Sequence, residues 1–469
     1  SSVSDAQGDF FLNDVLQKFY TKTVDGEGKN RFIGSNVFYK YYDKEKNKIL
    51  DVNAGINYDG NDNTSIHSTV WSASPFEGIK TVSDNQNREY YLKLDYSQPV
   101  GKNGDQLEFG GKTNFKNNEM PFHYFNFQNN SWTADGSRTN TFRYTENLNS
   151  LYANFSKTFF KKLETRIGLR YEYINFTVKQ EVGSIERKDS YGTLMPDLLL
   201  KYSFNENYNL TATYKHSLWR PWYMEFNPFL MPTENGTYRR GNMDLQPNPN
   251  DRFGLKLGLY KKYFLSANYS TTNQDYWTSY TVEDGNTIAM PTTYYGRINN
   301  YSLYANTNQN FLKNKLNVNL NLGVSYIDNS DFKERNNFVG MKDHVTNFNG
   351  STNFSYTNLF NQNINLNGWF GMHSQNWGNS MGNKINFFHS FGATKIFPKT
   401  QMEAGIRFNN IFQRPGNDFV TYSPIGTFRN VNQWDWYGVN LSFVKRFGNQ
   451  KVKESSKTNV EKESGSAKN

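Results

Sequence analysis

The run Leu316-Asn317-Val318-Asn319-Leu320-Asn321-Leu322-Gly323-Val324-Ser325-Tyr326 repeats one two-residue pattern from end to end. Its even positions are aliphatic or aromatic, and its odd positions are Asn, Gly or Ser. A side-chain period of two describes a β-strand with one apolar and one polar face. The alternation outlasts the usual globular strand of about five or six residues. It matches the roughly 9–11 tilted residues needed to cross the hydrocarbon core of a bilayer.

The pattern recurs along the chain. Leu92, Leu94 and Tyr96 alternate with Lys93, Asp95 and Ser97; Thr165, Ile167, Leu169, Tyr171 and Tyr173 alternate with Glu164, Arg166, Gly168, Arg170 and Glu172. Phe253, Leu255, Leu257 and Leu259 repeat it, as do Ala404, Ile406 and Phe408. Alternation alone does not separate a soluble sandwich, apolar face inward, from a large barrel with a wet lumen and an apolar outside. The connections do. Short polar turns fall at Lys161-Lys162, Asn205-Glu206-Asn207, Lys261-Lys262, Lys313-Asn314-Lys315 and Pro398-Lys399, and another runs from Gly101 to Asp105. Long irregular segments are expected at about 61–88, 118–147, 219–249, 329–343, 376–383 and 413–431. Short turns at one end and long loops at the other are the arrangement of an outer-membrane barrel. A propeller would give a comparable repeat length, but no blade motif repeats and the strands are too long.

The predicted fold is all-β, a transmembrane antiparallel up-and-down β-barrel. Seventeen strands are read from about Arg31 to Phe447, with a weaker one near Phe10–Tyr20, so about 16–18 lie in this chain. Residues 1–30 are read as that weak first strand or a lead-in, 31–447 as the barrel, and 448–469 as a disordered polar tail rich in Lys, Glu and Ser.

Composition agrees. Mean hydropathy is −0.81, and no window approaches the ~18 consecutive apolar residues of a transmembrane helix. Yet 38 Phe and 32 Tyr are too many for a disordered polar chain. The chain has no cysteine and opens SSVSDAQGD, without a basic or apolar signal region. Because a barrel of this kind must first cross an inner membrane, Ser1 is read as an internal or processed start. The formal charge of +9 comes from Lys and Arg scattered through every hairpin, which describes a mixed-sign solvated surface and no nucleic-acid partner.

Catalytic chemistry finds no footing. His67, His123, His216, His344, His373 and His389 make no H-E-x-x-H motif, and there is no G-x-S-x-G or phosphate-binding glycine loop. The chain is therefore read as no enzyme, with no catalytic residue and no cofactor. Asp59 and Asp62 offer calcium-type oxygens, but Asn/Asp/Gly runs are ordinary turn formers, and no metal site is assigned. The loops carry more information. Trp71 lies in one, Trp132 beside Phe122-His123-Tyr124-Phe125 in another, and Trp219, Trp222 and Tyr223 at the base of a third. Flat amphipathic rings beside Asn, Asp and Arg suit sugars or other polar cyclic ligands. The competing reading is that they pack the loops together or form the interfacial belt.

Two further segments are the most specific in the chain. They are Arg220-Pro221-Trp222-Tyr223-Met224-Glu225-Phe226-Asn227-Pro228-Phe229 and Gly241-Asn242-Met243-Asp244-Leu245-Gln246-Pro247. Together they resemble the extracellular-loop signature of the outer-membrane β-barrel family allied to TonB-dependent receptors. Arg220, Pro221, Asn227, Pro228, Phe229, Gly241, Asn242, Leu245 and Pro247 stand at its motif positions, while Phe226 and Met243 depart from the usual Leu and Pro. The terminal Gly438-Val439-Asn440-Leu441-Ser442-Phe443 is similar to the insertion signal of such barrels, with Trp436 where a polar residue is usual. The resemblance covers about residues 30–447. It implies a barrel of about 22 strands, preceded by a plug domain that this chain lacks, so an incomplete or strained wall is expected here. It also implies a receptor that imports an oligosaccharide, metal chelate or peptide. The implied partners are outer-membrane lipid, the barrel-assembly machinery, the energy-coupling TonB protein through the plug, and a surface lipoprotein as a further candidate. The implied location is a Gram-negative outer membrane, with loops extracellular and the turns and tail periplasmic. The alternatives are a passive porin or scaffold barrel, and a soluble all-β adhesion domain.

Overall fold

The computed structural model describes residues 2–12, 15–72, 76–101, 105–233, 238–284, 286–376, 378–382, 384–424 and 426–447. Its strands form one sheet of 21 and a separate sheet of three. Three members of the large sheet, Ser131–Ala134, Met231–Pro232 and Tyr238–Arg239, are short loop strands, which leaves eighteen in the wall. These are β1 (Ser2–Leu12), β2 (Val15–Asp43), β3 (Lys48–Trp71), β4 (Glu77–Val100), β5 (Asp105–Gln128) and β6 (Asn140–Phe159). Next come β7 (Leu163–Gln180), β8 (Ile185–Ser203), β9 (Tyr208–Trp219), β10 (Asn248–Leu259), β11 (Tyr263–Glu283) and β12 (Asn286–Phe311). The last six are β13 (Leu316–Asp328), β14 (His344–Leu359), β15 (Ile364–Ser374), β16 (Ile385–Phe397), β17 (Met402–Asn409) and β18 (Gly438–Lys445). Each pairs antiparallel with the next, the up-and-down order expected.

The run that opens at Leu316 lies in β13, and its neighbours show what the alternation accomplishes. Leu322 lies opposite Ala305 of β12 and Gly350 of β14, and Val324 opposite Leu303 and Phe348. Leu303, Leu320, Leu322 and Phe348 are exposed, so this face is an apolar outer surface. On the other face Asn317 donates to Asn308 and Asn310 at 2.7 and 2.8 Å, and Asn321 donates to Asn319 at 2.7 Å and to Ser351 at 3.3 Å. A ladder of amides satisfies itself there and leaves the inner face hydrophilic, as a water-filled barrel requires.

The expected short turns at 161–162, 205–207, 261–262, 313–315 and 398–399 all lie at one end; residues 102–104 of the sixth lie outside the described residues. In the turn 160–162, Phe160 and Lys161 both take positive φ, 52° and 59°, and Lys162 donates to the carbonyl of Phe159 at 3.0 Å. Tyr260 and Lys261 repeat that geometry at φ 53° and 58°. Two successive left-handed residues give the twist that a tight hairpin between right-twisted strands needs.

At the opposite end the structure corrects several expectations. Segments 61–88 and 118–147 are mostly hairpin extensions. β3 and β4 stay paired up to Thr69 opposite Glu77, through the rungs Asn61/Asn85, Asp62/Asp84 and Asn63/Ser83. Asn and Asp are poor strand formers, but here each strand is paired on both sides, and Arg31 of β2 forms an ion pair with Asp62. Segment 413–431 is a hairpin of Gly416–Ser423 with Gly426–Gln433, which joins Ser380–Gly382 in the separate sheet. Segment 329–343 holds a short helix, α1 (Ser330–Asn336), in a chain expected to have almost none. The strand expected near Phe10–Tyr20 is instead the junction of β1 and β2.

The wall is open, as the expectation of missing strands anticipated. Among the described residues, β1 pairs only with residues 15–26 of β2, and residues 27–43 of β2 form one edge of the wall. Among the described residues, β18 pairs only with β17 and forms the other edge. The expected tail, 448–469, lies outside the described residues.

Candidate ligand-binding mouth

The inner faces of the strands change character toward the loop end. On β6 the inward positions run Asn154, Tyr152 and Ser150, then Tyr144 and Phe142. On β7 they run Gly168, Arg170 and Glu172, then Ile174, Phe176 and Val178, while the alternate Ile167, Leu169, Tyr171 and Tyr173 are exposed outside. The lumen is thus polar below and apolar at its mouth. Something must cover that apolar patch, and the loop between β9 and β10 does so. Phe226 and Leu245 are buried against Met120, Phe142, Tyr144, Phe176 and Val178. Phe229 packs with Ile79, Phe122 and Tyr124. Each such side chain contributes about 1.5–3 kcal/mol by leaving water.

The motif residues shape this inward fold. Asn227 is wholly buried, and its Oδ1 accepts from the backbone N–H of Phe229 at 3.1 Å. Its carbonyl accepts from the N–H of Gly241 at 2.6 Å, which clips the two motif segments together. A Cβ on Gly241 would lie 2.5 Å from the backbone N and O of Asn227, so only glycine fits. Asn242 donates its N–H to the carbonyl of Glu225 at 2.6 Å, and its Oδ1 accepts from the N–H of Asp244 at 2.9 Å. The carbonyl of Pro247 accepts from Gln274 at 2.6 Å, and Pro221 is buried. Pro228 is half-buried between Asn227 and Phe229.

Ion pairs fasten the loop to the wall. Arg220 Nη2 meets Glu172 Oε2 at 2.5 Å, while Arg170 Nε holds Oε1 at 2.5 Å. Asp244 pairs with Arg187 of β8 at 2.8 Å, and Arg240 forms two bonds to Glu283, at 2.7 and 3.0 Å. Burial opposes the Arg220 charge, yet the adjacent Glu172 keeps that guanidinium pKa above its usual value. Burial also pushes the Tyr223 phenol up to about 12.

The candidate aromatics do not form one cluster. Trp222 and Tyr223 meet at 4.9 Å between ring centroids, and Tyr223 donates to Asn87 at 3.2 Å. Trp219 donates to the Tyr276 hydroxyl at 3.3 Å. Trp71 sits apart against Tyr20, at 5.1 Å, and donates to Glu77 at 3.4 Å. Trp132 packs on Phe127, at 5.1 Å, within its own hairpin. Trp222 and Trp219 keep about half their surface exposed. Asp59 lies in the ladder opposite Phe32, and Asp62 is committed to Arg31. The reading of the sequence missed Glu172 and the apolar seat of the loop. The signal was present: the inward positions of β6 and β7 turn aromatic and aliphatic where a wet lumen would keep them polar.

The profile of the outer membrane protein beta-barrel family matches residues 41–444. No curated protein matches the chain. Among solved structures, the pyoverdine outer membrane receptor FpvA from Pseudomonas aeruginosa PAO1, bound to pyoverdine, is similar with TM-score 0.61 at 11% identity, over 95% of this chain and 71% of that one. The ferric citrate transporter FecA in unliganded form gives 0.53 at 10% identity, over 91% and 69%. The ferric yersiniabactin uptake receptor FyuA from Yersinia pestis gives 0.52 at 8% identity, over 95% and 78%. At these identities the likeness shows the fold alone, a large outer-membrane β-barrel. With its profile matched across most of the eighteen-strand wall, the chain belongs to the outer membrane protein beta-barrel family and is a protein of the outer membrane.

Proposed function

We propose that this chain is the barrel of a ligand-gated outer-membrane receptor that imports a nutrient such as an oligosaccharide, metal chelate or peptide. The observation that carries the reading is the loop between β9 and β10, folded into the mouth and held there by the Arg220–Glu172 pair. A buried, ion-paired loop across the mouth narrows the opening, which favours selective entry over free diffusion. The fold shared with solved uptake receptors supports the same reading. In it the loops face the outside and the short turns the periplasm. The exposed Trp222 and Trp219 rings, with Tyr223 at their base, offer a first contact for ligand, and Trp71 and Trp132 offer separate ones. No catalysis is assigned. The partners are lipid, the assembly machinery at insertion, a TonB-type energy coupler acting through a plug in the full-length protein, and a surface lipoprotein. A wall of this size is far wider than its side chains can fill, so a plug is required for closure. The test is conductance in planar bilayers of the intact gene product beside a plug-deleted form. A closed intact protein that leaks after deletion supports the receptor; large, constant conductance from the intact protein establishes a porin.

A further inference from the structure

Beside the Arg220 loop, residues on the inner faces of β10, β11 and β12 line a partly open cavity of about 180 Å³, completed by Ile327 of β13, Asn329 before α1, Val345 of β14 and the loop between β15 and β16. It has room for about six waters at their share of liquid volume, roughly the size of one sugar ring. Its lining is divided. Asn248, Asn250, Thr272, Asp275 and Asn300 supply its polar atoms, while Ile298, Val345 and Met381 pack with the indole of Trp277 as an apolar group.

The polar side is already organised. Asp275 Oδ1 accepts from Asn248 Nδ2 at 2.7 Å and from the N–H of Tyr276 at 2.9 Å, and Oδ2 accepts from Trp277 Nε1 at 2.8 Å. Thr272 donates to Asn248 Oδ1 at 2.7 Å, which fixes that amide so that its NH2 faces the carboxylate. Trp277 is itself pinned by Phe332 of α1, with centroids 4.2 Å apart. The polar groups are therefore held in place before any ligand arrives, which lowers the ordering cost of binding.

Charge narrows the ligand class. Among the described lining residues there is no Lys or Arg, and the one charged group is a carboxylate. An anion such as a ferric carboxylate chelate would be repelled without compensation. A lone cation would find a single carboxylate whose oxygens already accept three hydrogen bonds. A neutral ring that carries hydroxyls on its rim and C–H groups on its faces matches both sides, hydroxyls to the amides and Asp275, faces to the indole and aliphatics.

We propose that this cavity is a subsite for one neutral pyranose unit of a saccharide. The proposal rests on the receptor reading and narrows its cargo to carbohydrate. It is tested by binding in detergent, where transport plays no part, so a porin-like conductance would sink the receptor reading while leaving this result to stand or fall separately. Full-length protein is titrated calorimetrically with maltotriose, cellotriose and chitotriose, and with ferric citrate as the anionic control. One or more of the saccharides is expected to bind at one site. Asp275→Asn should weaken that binding by about tenfold or more, as loss of a charge-assisted hydrogen bond does. Ser270 also lines the cavity, and Ser270→Leu, which fills it, should abolish binding. Heat-modifiable gel mobility checks that each variant is folded. If Ser270→Leu does not fold, the near-isosteric Thr272→Val carries the test, with a loss of several-fold expected. Binding by none of the three saccharides, binding indifferent to the cavity variants, or displacement by ferric citrate overturns the proposal.

Discussion

Arg220 Nη2 lies 2.5 Å from Glu172 Oε2, joining the loop motif to the inner wall of β7 across 48 residues of sequence. Glu172 is almost fully buried and is shared with Arg170, so the pair has little water to fall back on. Removing one member of such a pair costs about 3–5 kcal/mol, because the other charge stays buried without its partner. Glu172→Gln is expected to release the loop. Brief trypsin treatment of folded protein in detergent checks it, since Arg239 and Arg240 lie within the loop. The variant should be cut there well before wild type, and equal protection would show that the apolar seat alone holds the loop.

Gly241 gives an independent handle on the same loop. Its hydrogen sits where any Cβ would meet backbone atoms of Asn227 at 2.5 Å and the carbonyl of Glu225 at 2.6 Å. Backbone cannot swing aside as a side chain can, so Gly241→Ala should cost about 1–3 kcal/mol, in the range of overpacked cores. The loss should appear as faster tryptic cleavage of the loop, with the wall's heat-modifiable migration unchanged. A variant as protected as wild type would mean that the two motif segments are not clipped as described.

The two faces of β13 predict opposite responses to charge. Leu320 is exposed on the outer face, level with Thr307 and Thr352, whereas Asn319 points inward among amides. Leu320→Arg should cost ~2–4 kcal/mol near the bilayer midplane, and Asn319→Arg should be nearly silent. Equilibrium unfolding in lipid vesicles measures both. Equal costs, or the reverse order, would assign the faces wrongly.

His67 makes the tall β2–β3 hairpin acid-sensitive. It lies far above the turn at 44–47, beyond the stretch that crosses the membrane, and it is buried. Burial, helped by the charge of Lys22, lowers its pKa from 6.5 to about 4. The folded state therefore holds fewer protons than the unfolded state between those values. Stability from the neutral ring is complete above pH 6.5 and is lost as pH falls toward 4, by at most about 3 kcal/mol. Fluorescence of Trp71, which ends the same strand, should report this loosening on acidification. In His67→Leu the transition in that window should disappear; if it persists, another group is responsible.

Much of this architecture is written locally. Period-two alternation and short polar turns are set by residues within a few positions of each other, so β13, its apolar outer face, its amide-lined inner face and the turn at Lys161-Lys162 could all be read directly, the last to within one residue. The hairpin extensions could not, because Asn61, Asp62 and Asn63 carry no strand preference of their own and are held by partners on β2 and β4. The same holds for the mouth. The motif marked Arg220, Asn227 and Gly241 as special, but nothing local to them names Glu172 as the partner of Arg220, or Phe142, Phe176 and Val178 as the seat of the loop. Nor does spacing bring Asn248, Thr272 and Asp275 together around one cavity. Those associations exist only once the wall curves and its loops turn inward. Strand alternation, the two faces and the family are legible position by position along the chain; where the loops fold, and which distant charges and rings they meet, depends on burial and pairing across the sheet, which no local stretch specifies.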